Sequence, residues 1–344
     1  MSTPGQQRGF PPTTAGDFAP EETGRAPAFP GRSRARQASL PSADCLGVRH
    51  KITCILVFAL FVTKLCGESA PLFRKRVSEV QLTLVATDQN DRPLMTLAPT
   101  DITVLEDGQA IPQFELRPAA DLPLRVAVVI DLSDSNQKAW TAVKNTLVGS
   151  LGGWMRPRDQ MLVVEFNSKT VMQTPVKDPT QLESALERPD SNHGLTALYD
   201  TIYQVCDHPI FKRADEPVRS ALILFSDGED DLSLHGLGDA IARAELNGVS
   251  LYTISAHNPR QASAGDTVLH ELASATGGRD FVVGDAVRLQ QSLSAIRDEL
   301  RNSYFLYYRP LNDQQARGFR RVRVVPARAG GARIRSRAGY FTQR

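Results

Sequence analysis

Cysteine is scarce in this chain of 344 residues, and the few cysteines are not arranged to hold a fold together. Three of the four precede or lie within an N-terminal apolar stretch, and only Cys206 falls in the part patterned like a globular body. That body therefore has no internal disulfide. Because the sequence contains no CxxC pair and no cysteine–histidine ligand spacing, we do not expect a structural zinc site.

The sequence also lacks the short motifs of several enzyme classes. Its six histidines show no metal-ligand spacing, and His270 is not followed by the second histidine of a zinc-protease helix. It contains no GxSxG turn, no P-loop and no GxGxxG fingerprint. These absences argue against a serine hydrolase, a P-loop nucleotide hydrolase and a nicotinamide-dependent dehydrogenase.

Charge is unevenly distributed behind a formal net charge of only +2. Residues 301–344 contain eleven arginines and one acid, Asp313, whereas residues 71–300 are acidic. An acidic body suits a cation site, and a basic tail suits an anionic surface. Two solvated charged faces would give the same pattern.

The first 70 residues do not resemble a folded domain. Residues 1–48 are rich in Pro, Gly, Ser, Thr and Arg, which predicts a disordered leader. Residues 49–70 hold a basic start, the uncharged apolar run 52–62 and then small residues, the order typical of a secretory signal peptide. The run is shorter than the roughly 20 residues that span a bilayer, but a retained single-pass anchor is the alternative. Both readings predict an extracytoplasmic body that is secreted, periplasmic or anchored.

Two segments of alternating polarity flank the centre of the chain. Residues 74–118 alternate apolar and polar side chains and contain the turn signal Asp107-Gly108, which predicts a small β-unit. Residues 303–344 alternate again, with Gly330-Gly331 as a turn, which predicts a β-hairpin that packs on the body and turns its arginines to solvent.

Residues 120–302 alternate between buried-strand and helix patterns. Continuous apolar runs such as Val126–Ile130 and Ala221–Phe225 are typical of parallel strands that are covered on both faces. Amphipathic helical segments separate these runs. The sequence therefore predicts an α/β fold with a doubly wound, mostly parallel sheet.

Oxygen-bearing side chains follow two of the buried runs and precede one helix. Asp131, Ser133 and Ser135 come directly after the first strand, and Asp227 follows the strand that ends at Phe225. Ligands of open parallel sheets bind at the carboxyl ends of the strands. Thr196, at the start of a predicted helix, adds a hydroxyl from a third segment. One carboxylate with two hydroxyls in a single loop is an all-oxygen set, which hard cations such as Mg²⁺ prefer.

This arrangement resembles the metal-ion-dependent adhesion site (MIDAS) of von Willebrand factor type A domains. The resemblance covers residues 120–302 and includes all five site positions, namely Asp131, Ser133, Ser135, Thr196 and Asp227. The flanking segments 101–108 and 339–341 are similar to a group of such proteins common in acidobacteria. The resemblance implies one bound Mg²⁺ or Mn²⁺ and an adhesion module whose metal accepts an Asp or Glu from a protein partner. Asp134, His193 and Glu229 are candidate rim residues.

Other readings of these residues remain open. Asp131, either serine or Thr196 could be a helix cap, and Asp227-Gly228 could be only a turn. A phosphoryl-transfer enzyme using Asp131 is an alternative, although Ser133 stands where such enzymes want a second aspartate and no basic residue is placed to hold a phosphate. A purely structural envelope protein is another. Its arginine-rich hairpin could contact an envelope surface, but nucleic acid is not expected, because no aromatic residues are interleaved with the arginines.

Overall fold

The computed structural model describes residues 79–133, 137–172, 175–176, 179–186, 194–212, 216–256, 263–311, 318–328 and 332–342. The predicted leader and apolar segment, residues 1–70, lie outside these ranges. Within the ranges, no helix is both long enough and apolar enough to cross a membrane.

Strands and helices follow one another along the described residues in an order with β-strands at both ends. The strands are β1 (Val80–Thr87), β2 (Ile102–Glu106), β3 (Gln109–Ala110), β4 (Phe114–Pro118), β5 (Leu124–Asp131), β6 (Gln160–Phe166), β7 (Thr170–Met172), β8 (Arg219–Phe225), β9 (Val249–Ser255), β10 (Arg279–Val282), β11 (Tyr304–Tyr308), β12 (Phe319–Pro326), β13 (Arg333–Ser336) and β14 (Gly339–Phe341). The helices are α1 (Gln137–Leu151), α2 (Pro179–Ala185), α3 (Leu198–Cys206), α4 (Leu237–Asn247), α5 (Ala264–Ala275) and α6 (Ala286–Arg301).

The central sheet has the strand order β10-β9-β8-β5-β6-β7. All neighbouring strands in it are parallel except β7, which pairs antiparallel with β6 at one edge. The chain moves to one side of β5 to form β6 and then crosses back to form β8 on the other side. The strand order therefore reverses at β5, which confirms the doubly wound α/β fold predicted from the sequence.

Helices cover both faces of this sheet because successive residues of each buried strand point to opposite sides. Val126 and Val128 pack with α1, α2 and α6 on one face. Ala127 and Val129 pack with α3, α4 and α5 on the other face. Residues on both sides are almost completely buried, which explains why the strands read as continuous apolar runs.

The described segments on either side of the α/β domain build a second lobe together. One sheet has the order β13-β1-β11-β4 and the other the order β14-β12-β2-β3. Apolar side chains from both sheets, including Leu82, Val104, Leu306 and Val322, form one core. The α/β domain is thus inserted between β4 and β11 of a β-lobe to which both flanking segments contribute. Ala119 and Ser303, one on each connection, are joined by a backbone hydrogen bond of 2.8 Å.

The predicted C-terminal hairpin needs a correction. Among the described residues, β12 pairs with β2 and β14, whereas β13 pairs with β1 in the other sheet. The two strands expected to pair with each other therefore lie in separate sheets. The physical reason is that Val322 and Val324 gain a complete core only against the N-terminal strands.

The arginines of this segment are also not uniformly exposed. Arg321 and Arg323 face solvent as predicted. Arg335, by contrast, pairs with buried Glu299 of α6 at 2.6 Å. Arg337 donates to the backbone carbonyls of Glu245 and Gln81 at 2.7 and 2.8 Å. Part of the basic tail therefore joins the β-lobe to the α/β domain.

Candidate functional site

Asp131 lies at the carboxyl end of β5, the strand at which the order of the sheet reverses. Its buried carboxylate accepts the backbone N–H of Ser133 at 2.9 Å and the hydroxyl of Ser226 at 2.8 Å. Ser226 directly follows the neighbouring strand β8, and its Oγ accepts the N–H of Gly228 at 3.1 Å. One serine thus attaches the loop after β8 to Asp131.

The surroundings of Asp131 disfavour an isolated negative charge. Burial raises the pKa of Asp131 to about 6, hydrogen bonds from Ser133 and Ser226 oppose this rise, and the carboxylate of Asp227 adds to it. Within the described residues, the hydrogen bonds to this carboxylate come from neutral groups. A cation at this place would stabilise the charged form, so a divalent ion fits the electrostatics.

The carboxylate of Asp131 is hydrogen-bonded within the loop that follows β5, and the described part of α1 begins at Gln137. The hydrogen bond from the N–H of Ser133 to the carboxylate of Asp131 closes a local turn just after β5. Ser135 and Asp134 lie outside the described residues.

Thr196 precedes α3 without capping it. The N-cap position of α3 is Ala197, and no side chain at that position caps the helix. The first N–H groups of the helix, those of Leu198 and Tyr199, are instead satisfied by Oδ1 of Asp230 at 2.7 and 3.3 Å. The reading of Thr196 as a helix cap is therefore wrong, and its buried hydroxyl is not used for capping.

Aspartates fasten the loop after β8 to the segment around Thr196. Oδ2 of Asp231 accepts the N–H of Thr196 at 3.0 Å, and the carbonyl of Thr196 accepts the N–H of Asp231 at 2.8 Å. Asp200 of α3 accepts the N–H groups of Leu234 and His235 at 3.1 and 2.9 Å. Thr196 and the loop carrying Asp227 are thus held together by these hydrogen bonds.

Asp227 is half-buried and makes a turn as well as facing the site edge. Its Oδ1 accepts the N–H of Glu229 at 3.1 Å, so the turn reading is correct as far as it goes. Glu229 itself is exposed beside the turn. Of the other two rim candidates, His193 and Asp134, the structure describes neither.

Gly228 and Gly265 are functional candidates that the sequence did not reveal. Gly228 has φ +84°, and a Cβ placed on it would lie 2.4 Å from the carbonyl oxygen of Gly265. A Cβ on Gly265, the second residue of α5, would lie 1.9 Å from the carbonyl oxygen of Asp227. The only signal in the sequence was a glycine in the first turn of a helix, which many helices contain for other reasons.

The structure brings three of the predicted segments to one edge of the sheet. The N–H of Leu132 bonds to the carbonyl of Phe166 at 2.8 Å, and that of Ala197 bonds to the carbonyl of Asn167 at 2.9 Å. The loop after β5 and the segment before α3 therefore both attach to the end of β6. No cluster of three or more His, Cys, Asp or Glu side chains suited to a metal occurs in the described part of the chain. A cation at this edge would depend on hydroxyl oxygens and water as well as carboxylates.

Comparison with known proteins gives similarity in three dimensions. No sequence-family profile matches the chain, and no curated protein sequence matches it. Solved structures similar to this chain include proximal thread matrix protein 1 from the mussel byssus, with 16% identity, a TM-score of 0.45 and coverage of 57% of this chain. The chain spans only 50% of the mussel protein's length. That protein has also been solved with zinc in its MIDAS motif.

Two bacterial structures are also similar. An aerotolerance-related membrane protein from Bacteroides fragilis is 17% identical, with a TM-score of 0.40, over 52% of this chain and 98% of that protein. A von Willebrand factor type A structure from Catenulispora acidiphila is 14% identical, with a TM-score of 0.45, over 78% of this chain and 75% of that protein. The family that the sequence resembles is therefore among the structures similar to this chain.

Proposed function

We propose that residues 120–302 are an extracytoplasmic, metal-dependent protein-binding module. Asp131, Ser133, Ser135, Thr196 and Asp227 would hold one divalent cation, Mg²⁺ or Mn²⁺. When bound, the cation supplies a positive charge and an open coordination position for an Asp or Glu carboxylate of a protein partner. The observation that supports this most is the buried carboxylate of Asp131, placed where the strand order reverses and hydrogen-bonded by neutral groups.

The protein's own groups have three roles in this proposal. Ser226 and the backbone of Ser133 orient the carboxylate of Asp131. Asp231 holds Thr196 against the loop that carries Asp227. Because these bonds are formed among protein groups, the loops need little rearrangement to receive an ion, which favours binding.

Calorimetric titration of the purified protein with MgCl₂ and MnCl₂ tests the proposal. We expect one site per chain in the wild type and no binding in Asp131→Ala. Asp121→Ala is the matched control, because Asp121 is exposed just before the opposite end of β5 and should leave binding unchanged. Binding of wild type and Asp131→Ala with equal affinity would refute the assignment.

Partner capture tests the second half of the proposal. Immobilised protein should retain a partner from an envelope extract with Mg²⁺ present and release it on addition of EDTA. The Asp131→Ala protein should retain none, and Asp121→Ala should behave like the wild type. A partner retained equally with EDTA would show that the metal is not the contact.

We infer binding rather than catalysis because the described hydrogen-bond partners of Asp131 include no cationic group. These partners are the backbone N–H of Ser133 and the hydroxyls of Ser133 and Ser226. A phosphoryl-transfer site needs cationic groups to hold the phosphate. Hydrolysis of a generic phosphate ester that disappears in Asp131→Asn would favour the enzyme instead.

Contact with an anionic envelope surface is a second candidate role. The residues that would make this contact lie on one face of the β-lobe. Arg321 and Arg323 are exposed on the outward side of β12. Phe319 and Phe341 lie on the same side as a partly exposed pair with ring centroids 5.1 Å apart. Basic and aromatic side chains on one surface suit an anionic bilayer interface.

Vesicle sedimentation separates this role from the metal site. The protein should sediment with vesicles containing phosphatidylglycerol more than with phosphatidylcholine alone, and less at high salt. Arg321→Glu with Arg323→Glu should abolish the difference, whereas Arg309→Glu, an exposed arginine beyond the end of β11, should leave it unchanged. Equal sedimentation of all three proteins would refute the role.

A further inference from the structure

The backbone that follows β8 packs against the first turn of α5 without any side chain between them. The contact is made by Gly228 and Gly265, and a Cβ on either would lie within 2.4 Å of a backbone carbonyl oxygen of the other segment. Backbone atoms cannot move aside as the end of a flexible side chain can. Glycine is therefore required at both positions for as long as this contact exists.

Conformational freedom does not explain the glycine at position 265. Gly228 has φ +84° and would favour glycine for that reason alone, but Gly265 lies in a helix and has no such backbone conformation. Alanine is the better helix former at an ordinary position. The close approach to the carbonyl oxygen of Asp227 is the property that distinguishes this glycine.

We propose that Gly265 is a positioning residue. Its contact with the carbonyl of Asp227 allows the first turn of α5 to fix the position of Asp227 at the proposed metal site. This inference rests on the proposed function. The chain leaves the sheet after Phe225, and Ser226 attaches it to Asp131 on one side. The first turn of α5 meets the carbonyl of Asp227 on the other side.

A methyl group at position 265 would disturb this geometry. It would begin 1.9 Å from the carbonyl oxygen of Asp227, whereas ordinary contact begins at 3.4 Å, so the two segments must separate by more than an ångström. Metal–ligand distances in proteins tolerate deviations of only about 0.2 Å. The movement should therefore weaken cation binding far more than it weakens the fold.

The chain offers a closely matched control for this substitution. Gly238 is the second residue of α4, as Gly265 is of α5, but a Cβ on Gly238 would meet nothing within 4 Å. Calorimetry with MgCl₂ on the full chain should show at least a tenfold weaker affinity for Gly265→Ala. Gly238→Ala should remain within twofold of the wild type. Both variants should still melt cooperatively in the absence of metal.

A second matched pair approaches the contact from the other side. Gly228 and Gly248 both have positive φ, +84° and +67°, so alanine is strained at both. A Cβ on Gly248 meets nothing within 4 Å, whereas one on Gly228 meets the backbone of Gly265. Gly228→Ala should lose Mg²⁺ affinity at least tenfold, and Gly248→Ala should not.

Each outcome decides between the alternatives. Wild-type affinity in Gly265→Ala overturns the positioning role. Failure of Gly265→Ala to fold also overturns it, because the glycine would then serve the fold rather than the site. If the wild type takes up neither Mg²⁺ nor Mn²⁺, the proposed function itself fails, and the positioning role falls with it.

Discussion

Buried carboxylates at the two ends of the central sheet have different kinds of partner. At the carboxyl end, Asp131 accepts hydrogen bonds from a backbone N–H and a hydroxyl. At the amino end, buried Asp159 and Glu299 form ion pairs with Arg301 and with Arg335, respectively. Among the described residues, the acids at the amino end are paired with arginines, whereas the hydrogen bonds to Asp131 come from neutral groups.

At the amino end of the central sheet, buried acids link neighbouring elements to one another. Asp159, just before β6, accepts the N–H of Leu124 and that of Arg156, both at 2.7 Å, and pairs with Arg301 at the end of α6. It therefore joins the first strand, a turn and the last helix of the α/β domain. Glu299 in turn pairs with Arg335 of the β-lobe at 2.6 Å.

The difference shows what each end can do. A buried carboxylate already paired with arginine has no electrostatic need for another cation, and breaking the pair leaves an uncompensated charge. A buried carboxylate with neutral partners lacks that compensation. The first arrangement stabilises the fold, and the second is suited to receiving an ion.

The largest effect on stability is expected from Asp159→Ala. This change leaves Arg301 buried without its carboxylate and removes the acceptor of two backbone N–H groups. The free energy of unfolding in urea should fall by about 3–5 kcal/mol. Glu216→Ala breaks an exposed pair with Arg158 and should cost less than about 1 kcal/mol. Similar losses in the two variants would contradict the contrast.

A pH-dependent effect of intermediate size is expected from Glu245, a third buried acid at the amino end. Burial raises the pKa of Glu245 from 4.5 to about 7, and nearby Arg337 lowers it only in part. A raised pKa means that the folded state prefers the protonated form, so the contribution of Glu245 to stability is lost as pH rises from about 5 through 7. Arg337 does not prevent this, because its guanidinium donates to the backbone carbonyl of Glu245.

Glu245→Gln should remove this dependence. From pH 5 to pH 8, its free energy of unfolding should rise relative to the wild type by roughly 2–3 kcal/mol. Urea unfolding at several pH values measures the difference. A constant difference between the two proteins across this range would show that Glu245 is better compensated than its contacts indicate.

Asp131→Asn should change stability much less than Asp159→Ala, although both positions are buried. Asparagine keeps the shape of the side chain and an acceptor for Ser133, and no buried arginine is left behind. Without metal, the free energy of unfolding should stay within about 1 kcal/mol of the wild type. In MgCl₂, only the wild type should gain thermal stability. If Asp131→Asn lowered the free energy of unfolding as much as Asp159→Ala does, the carboxylates at both ends of the sheet would contribute to stability in the same way.

The smallest effect is expected at Gly238. Alanine there meets no neighbouring atom within 4 Å and favours the helix, so stability should rise by up to about 0.5–1 kcal/mol. Gly265→Ala, at the same position of the next helix, should not share this gain. An equal gain in stability in both variants would mean that the backbone around the Asp227 carbonyl can shift at little energetic cost.

Local patterns were sufficient to predict the α/β domain. Continuous apolar runs predicted β5, β6, β8 and β9, because a strand covered on both faces must be apolar throughout. The β-lobe was not predictable in this way. Its strands pair across more than 200 residues, for example Val80 with Tyr308, and no local pattern encodes such a partner.

The candidate site shows the same division. The positions of Asp131 and Asp227 after apolar runs predicted that both follow strands at one edge of the sheet. The roles of Asp230 and Asp231 could not be predicted, since an acidic stretch reads equally well as solvated surface. Their side chains acquire partners only when the helix start at Leu198 and the segment of Thr196 are brought beside them.

By itself, the sequence determined the period of its apolar residues, and hence which segments are strands, which are helices and which oxygen-bearing residues follow a strand. Only the tertiary structure decided which strands of the two flanking segments pair, which arginines are buried against acids, and that the start of a helix contacts the Asp227 backbone through glycine. The reason is physical. Burial along a strand or helix depends on neighbours in the chain, whereas charge compensation and close backbone contact depend on residues that only folding brings together.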